Sequence, residues 1–289
     1  MTQHTRRQFL ASLGVGALGL AGINAVSSCA ANSAGAAGSR KLKKVGLQLY
    51  TVRNLMQQDM PGTIAQVAAA GYREVEFAGY FGRSADQVRQ LLAQNGLTSP
   101  SSHLQFDPFG GNATDVLAFA KAIGNEWATI PYIPEERRKT MDDWKRIVDM
   151  LNRYGAQAKS QGLRLAYHNH NFELADMGGQ RPLDYMLTNT DPSLVDFEMD
   201  LYWVVFGGGD PIDFFNRYPG RFPMVHVKDS AGPPDNKMAD VGRGTINFPA
   251  IFALSDKAGI KHYFVERDDA SDELASIRNS AQYLLNLTY

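Results

Sequence analysis

The chain has 289 residues, 44% hydrophobic and 20% charged, with 29 Lys and Arg against 30 Asp and Glu and a formal charge of -1. That balance excludes a wholly disordered, collagen-like or disulfide-scaffold protein, and it lacks the basic footprint with which a general nucleic-acid binder neutralises phosphates. The single cysteine, Cys29, excludes an intrachain disulfide and a Cys-built zinc site. Any metal must then be held by His, Asp and Glu, donors that suit Mn, Mg, Co or a catalytic zinc.

Thr5-Arg6-Arg7-Gln8-Phe9-Leu10 opens the chain and an Ala/Gly-rich apolar run continues to Val26. Gly14, Gly16, Gly19 and Gly22 would each cost about 1 kcal/mol in a soluble helix, so the segment reads as a twin-arginine export signal and not as a packed helix. Cys29 follows Val26-Ser27-Ser28 in a pattern that resembles the lipobox of bacterial lipoproteins, whose cysteine is acylated and begins the mature chain. The expected organisation is a signal peptide over 1–28, a flexible Ala/Gly/Ser-rich tether over 29–41 and one catalytic domain over 42–289. The expected location is periplasmic, lipid-anchored to a membrane through Cys29.

From Val45 a short apolar run, a loop and a longer amphipathic stretch alternate eight times. The predicted strands are Val45–Tyr50, Arg73–Phe77, Thr98–His103, Trp127–Tyr132, Leu163–His168, Leu194–Met199, Phe222–Val227 and His262–Glu266. The predicted helices are Gly62–Ala70, Ser84–Asn95, Ala113–Ile123, Met141–Ser160, Pro182–Asn189, Pro211–Arg217, Phe248–Ala258 and Glu273–Leu287. Eight such units predict an α/β fold, a single (β/α)8 TIM barrel, where a doubly wound sheet would need a glycine-rich phosphate loop after its first strand. Gly207-Gly208-Gly209 lies too late in the chain for that role and reads as a flexible loop.

In a barrel the chemistry sits at the C-terminal strand ends. Those ends carry Gln48, Glu76, His103, then His168, His170 and Glu173, and then Asp200, His226, Lys228, Asp229 and Glu266. Each alone fits a salt-bridge partner or a hydrogen-bonded core histidine. Hard donors on four adjacent strands fit coordination better, because such groups are costly to bury unless they pair, coordinate or react. Glu173, Asp200, His226 and Glu266 suit one divalent ion, most of all Mn²⁺, with His168 as the alternative fourth ligand since Glu173 must fold back from its loop.

Gly46-Leu47-Gln48-Leu49-Tyr50-Thr51-Val52-Arg53, Tyr167-His168-Asn169-His170-Asn171-Phe172-Glu173, His226-Val227-Lys228-Asp229, Val241-Gly242-Arg243-Gly244-Thr245-Ile246 and Val265-Glu266 occur in this order. Together they resemble the xylose-isomerase-like superfamily of sugar phosphate isomerases and epimerases. The resemblance implies metal binding by Asp200, His226 and Glu266. At the fifth strand the epimerase pattern has a glutamate where His168 stands; the His-x-His-x-x-Glu arrangement is more similar to the inosose dehydratase-like and 3-oxo-glycoside lyase branches, where a later glutamate binds the metal.

The expected function is a metal-dependent isomerase, epimerase or carbon–oxygen lyase that removes a proton α to the carbonyl of a keto-sugar. Catalysis falls to His168, His170, Glu173 and Glu266, and substrate binding to Gln48, Glu76, His103, Lys228 and Arg243. Export points to an unphosphorylated ketose, inosose or 3-oxo-glycoside. Tyr50, Phe106, Phe109, Tyr132, Tyr202 and Trp203 are candidates to stack on a sugar. Two alternatives come from other classes: a non-catalytic carbohydrate-binding lipoprotein, and an abasic-site endonuclease-like phosphodiesterase, against which six histidines and a net-acidic mature chain both argue. No nucleic-acid partner is expected.

Overall fold

The computed structural model describes residues 40–104 and 113–289. The expected export signal, Cys29, nearly all of the expected tether, and Phe106 and Phe109 lie outside the described residues. Eight parallel strands close into a barrel: β1 (Gly46–Gln48), β2 (Glu74–Phe77), β3 (Thr98–His103), β4 (Trp127–Ile130), β5 (Arg164–His168), β6 (Val195–Asp200), β7 (Met224–Val227) and β10 (His262–Val265). Between β7 and β10 stands a small antiparallel hairpin, β8 (Asp229–Ser230) with β9 (Met238–Ala239). β1 pairs with both β2 and β10, which completes the ring.

The helices surround this ring because their apolar residues recur on one face. In α5 (Met141–Ser160) the buried positions Trp144, Ile147, Val148, Leu151, Tyr154 and Ala158 follow helical spacing. Thr140 and Asp143 form a reciprocal capping box at its start, and Gly162, at a φ of 71°, ends it in the left-handed conformation. Replacing fully buried Leu151 by Ala should cost about 2–5 kcal/mol.

Alternation sorts each strand's residues. On β6, Val195, Phe197 and Met199 join the outer core beneath the helices, while Asp196, Glu198 and Asp200 turn into the lumen. The lumen is layered: Trp127, Ala166, Met224 and Phe264 form a separate apolar plug. Charged groups lie at both ends of the barrel, with the metal-ligand candidates at the C-terminal one.

Four details differ from the sequence reading. Helix α1 (Arg53–Gln58) precedes α2 (Met60–Ala69), which begins earlier than expected because Asp59 caps it through the Gly62 N–H. The stretch 248–258 divides into α9 (Phe248–Phe252) and α10 (Ser255–Ala258). Helix α7 (Leu201–Phe206) was not expected, since Leu-Tyr-Trp-Val-Val-Phe is an apolar run without helical periodicity; the Asp200 side chain accepting the Trp203 N–H at 2.9 Å starts it. Finally, Gly207-Gly208-Gly209 is not a free loop but a close packing point. A Cβ on Gly207 would lie 2.9 Å from the Leu174 Cβ, and one on Gly209 would lie 3.0 Å from the Val204 Cγ1.

Candidate metal centre and barrel mouth

Strand register brings the polar groups together. His168 stands beside Glu198 in the β5–β6 pairing, and Asp200 beside His226 in the β6–β7 pairing. His226 is fully buried, with Nδ1 2.7 Å from Glu266 Oε2 and Nε2 2.8 Å from Glu76 Oε2 and 3.1 Å from Glu198 Oε2. His103 Nε2 lies 3.0 Å from the same Glu198 oxygen and 3.3 Å from Glu76 Oε2. Lys228 Nζ lies 2.8 Å from Glu266, 3.0 Å from Asp268 and 3.2 Å from Asp200.

Two overlapping four-residue groups have ligand atoms within 4.8 Å of one another: His168, Asp200, His226 and Glu266, and His103, His168, Glu198 and His226. Glu76 Oε1 and Glu198 Oε1 are buried without a hydrogen-bond partner, while Asp200 Oδ2 meets the Lys228 ammonium at 3.2 Å and His168 Nδ1 meets Glu198 Oε2 at 3.3 Å. Four buried carboxylates, Glu76, Glu198, Asp200 and Glu266, crowded round His226 and Lys228 with two oxygens left unpaired are a costly arrangement for a closed core and a fitting one for a divalent cation. The residues therefore fit a metal, with one imidazole more and one carboxylate fewer than the expected set.

Glu173 does not join that cluster. Its Oε1 accepts the Tyr167 hydroxyl at 2.6 Å and its Oε2 accepts the His170 backbone N–H at 2.9 Å, so both oxygens are committed within its own turn, and His168 occupies the position at the metal candidates. The correction follows from Phe172–Leu174 closing as a 3₁₀ turn, packed under Gly207 and Gly209, where the expected fold-back from a loop would have needed freedom. Burial pushes the Glu173 carboxyl up to about 7, against the opposing hydrogen bonds from Tyr167 and the His170 backbone.

Other expected site residues divide into two groups. His103, His168, His170, Lys228 and Glu266 line an open mouth of about 330 Å³ with Tyr50, Tyr132 and Asp268. Gln48 and Glu76 lie beneath it, fully buried; the Gln48 amide donates to Glu76 at 2.8 Å and its oxygen accepts the Tyr50 N–H, so Gln48 orients Glu76 and has no free group for substrate. Arg243 is exposed and does not line the mouth. It rides on a loop that buried Asp229 organises by accepting the Gly242, Gly244 and Ile246 N–H groups, and a Cβ on Gly244 would lie 2.2 Å from Asp229 Oδ1. Among the candidate aromatics, Tyr50 and Tyr132 are exposed at the rim; Trp203 lies 5.7 Å from His170, and Tyr202 donates its hydroxyl to the Asn236 carbonyl.

His170 is the mouth histidine that belongs to neither four-residue group. Its ring stacks on Phe172 at 5.3 Å, and its Nδ1 has no hydrogen-bond partner. Burial, reinforced by the Lys228 charge, pulls its pKa down to about 3, which keeps it neutral. Lys228 stays a cation because Asp200, Glu266 and Asp268 outweigh its burial. Sequence reasoning missed Glu198 and Asp268; an acid at every second position of Val195-Asp196-Phe197-Glu198-Met199-Asp200 was the available signal for the first.

A family model described as xylose isomerase-like TIM barrel matches residues 64–287. The chain belongs to that family. An inosose dehydratase of Geobacillus thermodenitrificans is 24% identical over 258 residues, covering 77% of this chain and 85% of that protein. The crystal structure of a sugar phosphate isomerase/epimerase from Parabacteroides distasonis superposes with a TM-score of 0.73 at 29% identity, over 85% of this chain and 94% of that one. An IolI protein crystallised with a bound zinc atom shares the fold with a TM-score of 0.66 at 13% identity, over 83% of this chain and 95% of that one.

Proposed function

We propose that this protein is a divalent-metal-dependent carbon–oxygen lyase or isomerase of an unphosphorylated keto-sugar (a ketose, inosose or 3-oxo-glycoside) that abstracts a proton α to the carbonyl. The observation that carries the reading is the set of buried carboxylate and imidazole ligand atoms converging within 4.8 Å of one another at a mouth that holds a neutral histidine and a lysine cation. The inosose dehydratase relatives support the elimination branch over simple epimerisation.

A divalent ion, Mn foremost among Mn, Mg, Co and Zn, held by His168, Asp200, His226 and Glu266, supplies Lewis-acid polarisation of the substrate carbonyl when bound. His170 takes the α-proton: the C–H bond breaks and its electron pair forms the carbon–carbon double bond of an enolate, whose oxygen Lys228 holds. In the elimination branch the carbonyl re-forms, the enolate's carbon–carbon pair becomes a new double bond between the α and β carbons, the β C–O bond breaks with its electrons leaving on oxygen, and the departing hydroxide takes the proton from His170. One water is lost and no redox partner is needed. In the isomerisation branch the proton returns to a neighbouring carbon. His103 contacts substrate hydroxyls, Tyr50 and Tyr132 flank the ring, and Glu173 positions His170 through its backbone.

The test is turnover of a panel of free ketoses, inososes and 3-oxo-glycosides by Mn-loaded protein in D₂O, followed by NMR. Release of water or exchange at the α-carbon is expected. A substrate deuterated at that carbon that shows no isotope effect in a chemistry-limited step overturns proton abstraction. The same proposal assigns residues 1–28 to a twin-arginine signal and Cys29 to the lipid anchor of a periplasmic enzyme. Cys29→Ala should move the protein from the membrane to the soluble fraction; a soluble wild-type protein overturns the anchor without touching the chemistry.

A further inference from the structure

The N-terminal end of the barrel, opposite the mouth, has a different charge. Arg40, Lys41, Lys43, Lys44 and Lys261 line a hollow of about 550 Å³ there, together with His262. Its acidic lining residue, Glu74, is buried and already accepts Lys44 and His262. Lys121, Lys159 and Arg164 line a second hollow of about 400 Å³ that shares Lys261 with the first, against the single acid Glu126. Arg40 is engaged by Asp256 and Arg164 by Asp196. Lys41, Lys43, Lys159 and Lys261 are exposed and make no ion pair among the described residues.

We propose that this basic end docks on a lipid surface bearing anionic headgroups, with the catalytic mouth directed away from it. Three observations carry the proposal. The unpaired lysines extend across two adjoining hollows, so a small anion would meet one hollow while a charged plane meets both. Among the described residues, the mouth at the opposite end has no comparable set of exposed cations: it is lined by Tyr50, Tyr132, three histidines and Lys228, and Lys228 is buried and ion-paired, so the basic end is the one an anionic surface attracts. Arg40, the first of the described residues, lies on this face, and its backbone exchanges hydrogen bonds with Tyr289. Cys29 precedes Arg40 by 11 residues, a span of at most about 40 Å. An anchor there would hold this face toward the bilayer, yet the electrostatic attraction exists with or without it.

The experiment uses the full chain carrying Cys29→Ala, so that no lipid contributes, and sedimentation with vesicles of phosphatidylcholine alone or mixed with phosphatidylglycerol. The parent should bind the anionic vesicles more strongly and release as salt rises. The triple variant Lys41→Gln, Lys43→Gln, Lys261→Gln should partition about 100-fold less, at roughly fivefold per lysine, with metal content and turnover unchanged. The apolar N-terminal segment is common to both chains and cancels. Equal binding of the two chains, or no preference for phosphatidylglycerol, overturns the proposal. Displacement of the vesicles by duplex DNA at the same salt reassigns the lysines to nucleic acid and overturns it as well. Because the anchor and the reaction are tested separately, failure here is distinguishable from failure of either.

Discussion

Both ends of the barrel bury charge on the same strands, yet the buried carboxylates left with an unpaired oxygen are at one end. At the N-terminal end Glu74 accepts Lys44 and His262, and Asp196 accepts Arg164 and the Trp127 N–H at 2.7 Å. None of these carboxylates retains a buried atom without a partner. Two residues further along β2 and β6, Glu76 Oε1 and Glu198 Oε1 are unpartnered. Buried charge is therefore no mark of a site in this molecule. The mark is buried charge that the protein does not neutralise itself, since leaving it so costs stability that only a ligand can offset.

The largest expected effect tests the unsatisfied end. Asp200→Ala and Glu266→Ala should each weaken metal binding by more than the 10–100-fold typical of outer partners, with the barrel still folded by circular dichroism. Full metal retention in both would break the comparison, because the orphaned atoms would then be strain and not a site.

Next comes His170→Asn, which removes the neutral mouth base without touching a ligand candidate. Turnover should fall by about 10²–10⁴ while metal content holds. Loss of metal instead would place His170 among the ligands.

Glu173 sharpens the comparison, being a buried acid of the mouth whose oxygens are both occupied. Its carboxyl stays protonated up to about 7 in the folded chain against a normal value of 4.5. Between those values the unfolded chain binds fewer protons, so stability should fall as pH rises from 4.5 to 7 and level off above. At 1.36 kcal/mol per unit the loss is roughly 3 kcal/mol. Glu173→Gln keeps a partner for Tyr167 and for the His170 N–H and should flatten that slope in urea titrations of the metal-free protein. An unchanged slope would show that Glu173 is ionised where it lies.

The smallest effect belongs to the satisfied end. Asp196→Ala leaves Trp127 without its acceptor and Arg164 without its counter-ion, with only the Ser193 and Pro192 carbonyls left to accept from the guanidinium. Because the Arg164 side chain is 39% exposed, the usual 3–5 kcal/mol for breaking a buried pair falls to about 2 kcal/mol. Turnover and metal content should not change; a loss of either would mean that the two ends are coupled through the lumen.

What the sequence by itself determined is the eightfold alternation, the strands to within one or two residues, and the membership of His103, His168, His170, Asp200, His226, Lys228 and Glu266 in one barrel mouth. These are properties of period and order along the chain: alternation turns every second residue inward, and parallel connections bring all strand ends to one face. Tertiary structure alone placed His168, and not Glu173, beside Asp200, His226 and Glu266, found Glu198, removed Arg243 from the mouth and turned Gln48 toward Glu76. Each of those outcomes depends on which neighbour consumes a side chain's hydrogen bonds. Tyr167 takes one Glu173 oxygen, His103 and His226 approach Glu198 from different strands, and Asp229 holds the Arg243 loop from across its hairpin. Such partners are fixed by lateral register and packing across the barrel, to which no spacing within a single segment corresponds.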